Sequence, residues 1–282
     1  MSSGVIHPYI GSNEREASRF GSVFIMSTSI HNQPDVQPRA ADSPRRAILV
    51  ALALLFAAAI PPLAIVEGFK LVQTQFGYGG DLAVTFVGGG LLATVAVGLL
   101  GVAYHRLRPV TVHVPRWLPT LRESGWIAAG VVIMFVTAIL IQIGMQLLNA
   151  APPTNFSAAA AAERPVLVYS LAIVGALFII GPIEEYFYRG IVQGRLREQM
   201  GPVPAIAIVS VGFALGHVPS YWIGGSDLLS LGVFFALLSI AVASVIFGAI
   251  YERTQNLVVV IVIHSLINAI SFSVALVAAL GA

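Results

Sequence analysis

The sequence predicts an all-α, polytopic transmembrane helix bundle of about seven spans, within a range of six to eight. Three observations lead there. Hydrophobic residues make up 57% of the 282-residue chain and charged residues only 10%, against roughly 25% charged in ordinary soluble domains. The apolar residues fall in runs long enough to cross hydrocarbon, which takes about 20 residues of helix. Arginines gather at alternate ends of those runs, as the positive-inside rule requires of successive membrane spans. A backbone in lipid must satisfy its own hydrogen bonds, so each run is read as a helix. Barrel strands would be shorter and would alternate polar with apolar residues.

The elements follow in chain order. Residues 1–44 hold no sustained apolar stretch and are rich in Ser, Asn, Gln, Pro, Asp and Arg. They read as a disordered cytoplasmic tail. Val23–Met26 is too short for a signal-peptide core. Spans are expected at 47–66, 82–104, 124–148, 165–183 (continuing as helix past 190), 203–222, 228–251 and 256–279. Pro61-Pro62 interrupts the region after the first span and leaves room for an eighth, re-entrant element near 60–80; Pro219 interrupts the fifth. Arg39, Arg45 and Arg46 precede span one, and Arg106, Arg108, Arg116 and Arg122 lie between spans two and three. Arg189, Arg195 and Arg197 lie towards the end of span four, and Arg253 lies between spans six and seven. The opposite ends carry only Lys70 and Arg164. The expectation is a multi-pass cell-membrane protein with a cytoplasmic N-terminus. Three regions result: the tail 1–44, N-terminal transmembrane helices 45–123, and a second membrane domain, 124–282, that carries the titratable groups considered below.

With no cysteine, disulfides, thiolate nucleophiles, zinc–thiolate sites and palmitoylation are excluded. Gly88-Gly89-Gly90 reads as a helix-packing feature; no Lys-Ser/Thr follows it, so it is no phosphate loop. Gln142 and Gln146 read as interhelical glue. His7, His31, His105 and His113 lie in tails or loops and are given no role.

Titratable groups at membrane depth are costly, about 2.5–3.5 kcal/mol each on insertion scales, and rare without a function. Here they are few. Glu184, Glu185 and Arg189 sit in GPIEEYFYRG, His217 in FALGH, and His264 and Asn268 in HSLIN. At about 1.5 Å of rise per residue, Glu184 lies roughly 18 Å from Leu196, and His217 roughly 22 Å from Pro202. By the same rise, His264 and Asn268 lie about 12 and 18 Å from Asn256. All three helices are measured from the same side, so the four groups can meet in one layer. Residues four apart share a helix face. Glu185 and Arg189 therefore read as an ion pair, whereas Glu184, about 100° away, has no such partner. An unpaired buried carboxylate suits a general base. His217 can complete a water-activating pair with it. His264 and Asn268 present two donors along one stripe, which suits a developing oxyanion. Taken singly, each feature also has an ordinary structural reading: a capped helix end, a packed histidine, or interhelical glue.

The order Glu-Glu-x-x-x-Arg, Phe-x-x-x-His and His-x-x-x-Asn on separate membrane helices resembles the CPBP family, which contains the CAAX prenyl protease 2 type endopeptidases. The resemblance covers roughly residues 124–279. It implies glutamate-dependent intramembrane proteolysis, with Glu184 and His217 activating water, His264 and Asn268 at the oxyanion, and Glu185 and Arg189 supporting the first motif. The expected partners are membrane lipid and a membrane-associated peptide or protein substrate, with no nucleic acid. No cofactor is expected. The competing reading is a zinc metalloprotease with Glu184, His217 and His264 as ligands, three donors with an open fourth position. Against it stand the absence of His-Glu-x-x-His and the lack of an evident carboxylate behind either histidine. Two further readings are a scaffold or immunity-type protein and a proton-coupled transporter. The lack of an internal repeat counts against the transporter.

Overall fold

The computed structural model describes residues 43–77, 79–113, 115 and 117–281. The expected tail to residue 42 and Arg116 lie outside the described residues. Among the described residues, seven helices are long and apolar enough to cross a membrane: α1 Pro44–Gln75, α2 Leu82–Leu107, α3 Leu121–Leu147, α4 Pro165–Arg197, α5 Pro202–Ile223, α6 Leu231–Thr254 and α7 Leu257–Leu280. A short helix, Phe156–Ala161, joins α3 to α4. No strand occurs among the described residues. The protein is an all-α polytopic bundle.

The helix starts are built from side chains that the sequence supplies. Ser43 caps α1 through its hydroxyl, with proline at the first helical position. Thr120 and Glu123 form a reciprocal capping box at α3. Ser230 and Asn256 cap α6 and α7. Each satisfies amide donors that the first helical turn leaves open.

The re-entrant element near 60–80 is not formed. α1 instead runs straight on through Pro61 and Pro62 to Gln75. Two prolines remove two backbone donors, but leaving helix inside hydrocarbon would expose many more. Side chains on α2 hold the extended part. The Gln73 amide donates to Thr85 Oγ1 at 2.7 Å, and Phe69 nests against Gly88 and Gly89. A Cβ at Gly88 would lie 2.6 Å from the Phe69 ring; the glycine run serves close helix packing.

α4 is the axis of the core. Phe187, Ile191, Val192 and Leu196 pack with Leu54 and Ala58 of α1 and with Val209 and Phe213 of α5. A second cluster joins Phe247 and Ile250 of α6 to Val260 and Ile263 of α7, with Trp126 and Ile127 of α3 against it. α3 is the most peripheral span and shows lipid many apolar side chains, Phe135, Ile139 and Leu140 among them. Gln142 and Gln146 are exposed in its last two turns. They are not the interhelical glue expected of them, because polar groups near a helix end can reach the interface instead of a neighbour.

Ion pairs separate the two ends of the bundle. Glu198 takes Arg195 at 2.8 Å and Arg108 at 3.2 Å, and Glu252 takes Arg197 at 2.9 Å. These link the ends of α2, α4 and α6. At the other end, Arg164 pairs with Asp81 at 2.8 Å.

Candidate active site

The site begins with two consecutive glutamates on α4. The helix is not regular there. Segments with π-type bonding, Ala176–Ile180 and Tyr186–Gln193, flank the turn Gly181–Glu185. Such widened turns re-aim side chains and recur at functional sites. Gly181 brings α7 close: a Cβ there would collide with Ser265 Oγ and lie 3.3 Å from Ser265 Cα. His264, the preceding residue of α7, is thereby drawn against α4.

The two carboxylates have different surroundings. Glu185 is 0% exposed. Its Oε1 accepts from Arg189 Nη1 at 2.9 Å and from His264 Nδ1 at 2.7 Å. An ionised carboxylate can only accept, so Nδ1 of His264 carries the proton in that bond. Arg189 also donates to the carbonyl and hydroxyl of Ser244 on α6, at 3.2 and 2.8 Å. Its guanidinium lies 4.9 Å from the Phe213 ring centre and 5.2 Å from that of Phe247, within reach of cation–π attraction. Phe247 stacks on the His264 ring at 5.1 Å. The buried charge is paired, hydrogen-bonded and walled by aromatics.

Glu184 keeps 21% of its side chain exposed. It lines a cavity of ≈ 170 Å³ together with His217, Tyr188 and Ser220. Its Oε2 is 3.7 Å from His264 Nε2, too long for a direct hydrogen bond and within ion-pair range when the ring carries both protons. His264 therefore stands between the two glutamates, fixed by one and facing the other.

His217 sits where α5 breaks. Pro219 has no amide proton, and the helix stops at Leu215 and resumes at Val218. The His217 amide turns to Ala214 O at 3.0 Å. That frees the Phe213 carbonyl, which accepts instead from the His217 ring at Nδ1, 2.8 Å away. A carbonyl accepts only, so Nδ1 is the protonated nitrogen and Nε2 presents a lone pair. The proline that made this span hard to read is what creates the break.

The structure thus brings Glu184, His217 and His264 together, with Glu185 and Arg189 behind them. Asn268, one turn beyond His264, is half-buried; neither it nor His264 is a lining residue of the Glu184–His217 cavity. Sequence spacing missed the bond from Glu185 to His264, because Arg189 at i+4 already accounted for that carboxylate. It also missed Ser244 and Phe247, which carry no motif. The statement that no carboxylate stands behind either histidine is corrected for His264. As for metal binding, among the described residues no three His, Cys, Asp or Glu side chains are grouped so as to hold an ion.

Residues 166–270 match the family model described as Rce1-like, type II CAAX prenyl endopeptidase. This segment is similar to the CPBP/CAAX endopeptidase family. It runs from the start of α4 into α7 and contains all six motif residues named above. No curated protein and no solved structure gives a significant match to the chain. In CAAX-endopeptidase terms, α4 to α7 are the matched part. α1 and α2 lie outside it, yet they supply Ala58, Val66, Thr94 and Val97 to the wall of the Glu184–His217 cavity.

Proposed function

We propose that the protein is an intramembrane endopeptidase that hydrolyses peptide bonds of membrane-associated proteins, prenylated CAAX-type chains being the substrate class the family points to. The observation that carries this reading is the shared cavity. Glu184 and His217, on different helices, face one space within the family segment and inside an apolar bundle. In the proposed reaction a water lies between Glu184 and Nε2 of His217. Glu184 takes a proton as the water oxygen attacks the carbonyl carbon, which is general-base catalysis. The carbonyl π electrons move to oxygen, and that oxyanion is assigned to Asn268 and to His264, whose Nε2 must then also carry a proton because Nδ1–H is bound to Glu185. Collapse breaks the C–N bond, and the proton held by the site passes to the leaving amine.

One observation keeps the zinc reading as second choice. Metal-binding histidines usually donate their other N–H to a carboxylate, as His264 does to Glu185. The two readings differ in a direct assay. Protein reconstituted in lipid and exhaustively chelated should retain full peptide cleavage, with metal content far below one ion per chain. Stoichiometric zinc, with cleavage lost on chelation and restored by metal, would reverse the order.

We also propose the cell membrane as its location and a cytoplasmic N-terminus, from the arginine-rich ends of α2, α4 and α6. A single cysteine introduced at Gly281 should react with a membrane-impermeant maleimide added from outside intact cells; protection there with reactivity only after lysis would invert the topology.

A further inference from the structure

A second cavity, of ≈ 220 Å³, also contains Glu184 in its lining. It lies between α2 and α4, and His217 does not line it. Its walls are apolar: Phe86, Leu91, Leu171 and Ile180. Gly90, Thr94, Glu184 and Ser220 line both cavities and form the neck between them. The carboxylate thus stands at a junction of two largely apolar cavities, one of which also holds His217 and Tyr188.

Size fixes what the second cavity can hold. An apolar cavity of about 150 Å³ takes up benzene, so this one has room for one leucine- or phenylalanine-sized side chain. Two glycines keep it open. A Cβ at Gly90 would have only Phe86 near it, at 4.0 Å, and a Cβ at Gly175 would lie 3.5 Å from Leu91 and 3.8 Å from Ile180. Both distances at Gly175 are ordinary contact, so a methyl group there fits without forcing the helices apart. Recognition pockets have this form, mostly apolar with a few polar groups at one end.

We propose that this second cavity is a specificity pocket that takes one bulky apolar side chain of the peptide substrate, next to the bond being cut. The backbone of the substrate crosses the neck, where Thr94 and Ser220 flank Glu184, and the chain continues into the His217 cavity. The proposal rests on the endopeptidase reading above.

The test uses full-length protein in vesicles with a library of lipid-anchored peptides. Each of the residues flanking a cleaved bond is varied among Ala, Val, Leu and Phe, and products are read by mass spectrometry. Gly175→Val should lower kcat/KM for Leu and Phe at one position by at least about 10–200-fold, the range set by one methylene in an apolar pocket, and leave Ala there almost unchanged. Leu171→Ala, which enlarges the same wall, should shift preference towards Phe at that position. It also stands alone if Gly175→Val fails to fold. An unchanged profile in both variants, or a uniform loss at every residue, overturns the pocket. Glu184→Gln in the same assay separates the two failures. If it abolishes cleavage while the pocket variants keep the original profile, only the pocket is wrong. If it cleaves normally, or if the unaltered protein cleaves no library member, the endopeptidase reading falls and the pocket with it.

Discussion

Glu184→Gln should lower peptide hydrolysis by ~10²–10⁴-fold, the range for loss of a general base, while leaving the fold intact. The amide keeps the shape of the carboxylate and cannot take a proton from water. Among the described residues Glu184 makes no direct side-chain hydrogen bond; His264 Nε2 stands 3.7 Å from it. Thermal unfolding in detergent should therefore shift little. Substrate binding should also persist, because the group acts mainly in the transition state. Undiminished turnover in this variant would end the hydrolase assignment and restore the scaffold reading.

Glu185→Gln should behave in the opposite way and strike two properties at once. Removing one partner of a buried ion pair costs about 3–5 kcal/mol, because the other charge is left uncompensated; here Arg189 is the one left, fully buried. Both native bonds fall on Oε1, while the buried Oε2 has no hydrogen-bond partner. Glutamine can therefore keep the acceptor in place and lose only the charge. Activity should fall as well, since His264 loses the anion that orients it. Spacing alone would have predicted mainly a stability effect. The double variant Glu185→Gln/Arg189→Met separates the two roles. It removes both charges, so the melting temperature should recover most of its loss while turnover stays low. Recovery of turnover along with stability would show that Glu185 serves the fold only.

Much of this architecture was legible because lipid imposes simple rules. Apolar runs located all seven spans. The 100° step between adjacent helical residues separated Glu184 from Glu185. Matched depths put Glu184, His217, His264 and Asn268 in one layer; the structure sets Glu184 3.7 Å from His264 and gives Glu184 and His217 one cavity. What spacing could not supply is rotation of one helix about its axis relative to another. That rotation decides that His264 meets Glu185 as well as Glu184, and that Asn268 lies outside the cavity lining. It also turns Thr94 and Ser220 towards the cavity of Glu184, although neither stands in a titratable motif. Prolines misled in both directions. Pro61-Pro62 looked like a stop and is spanned by α1, whereas Pro219 looked like a nuisance and shapes the site.

The break in α5 also limits how protons travel. His217 stands in for a missing backbone donor, so its Nδ1 proton is committed to main-chain structure. Releasing it would strand the Phe213 carbonyl in an apolar surrounding, at a cost of roughly 2–7 kcal/mol. Only the Nε2 face is open to exchange. Every proton the imidazole gains or gives must enter and leave through the cavity shared with Glu184, and none can leak along the helix behind it. The ring works as a one-sided valve whose hinge is the chain itself.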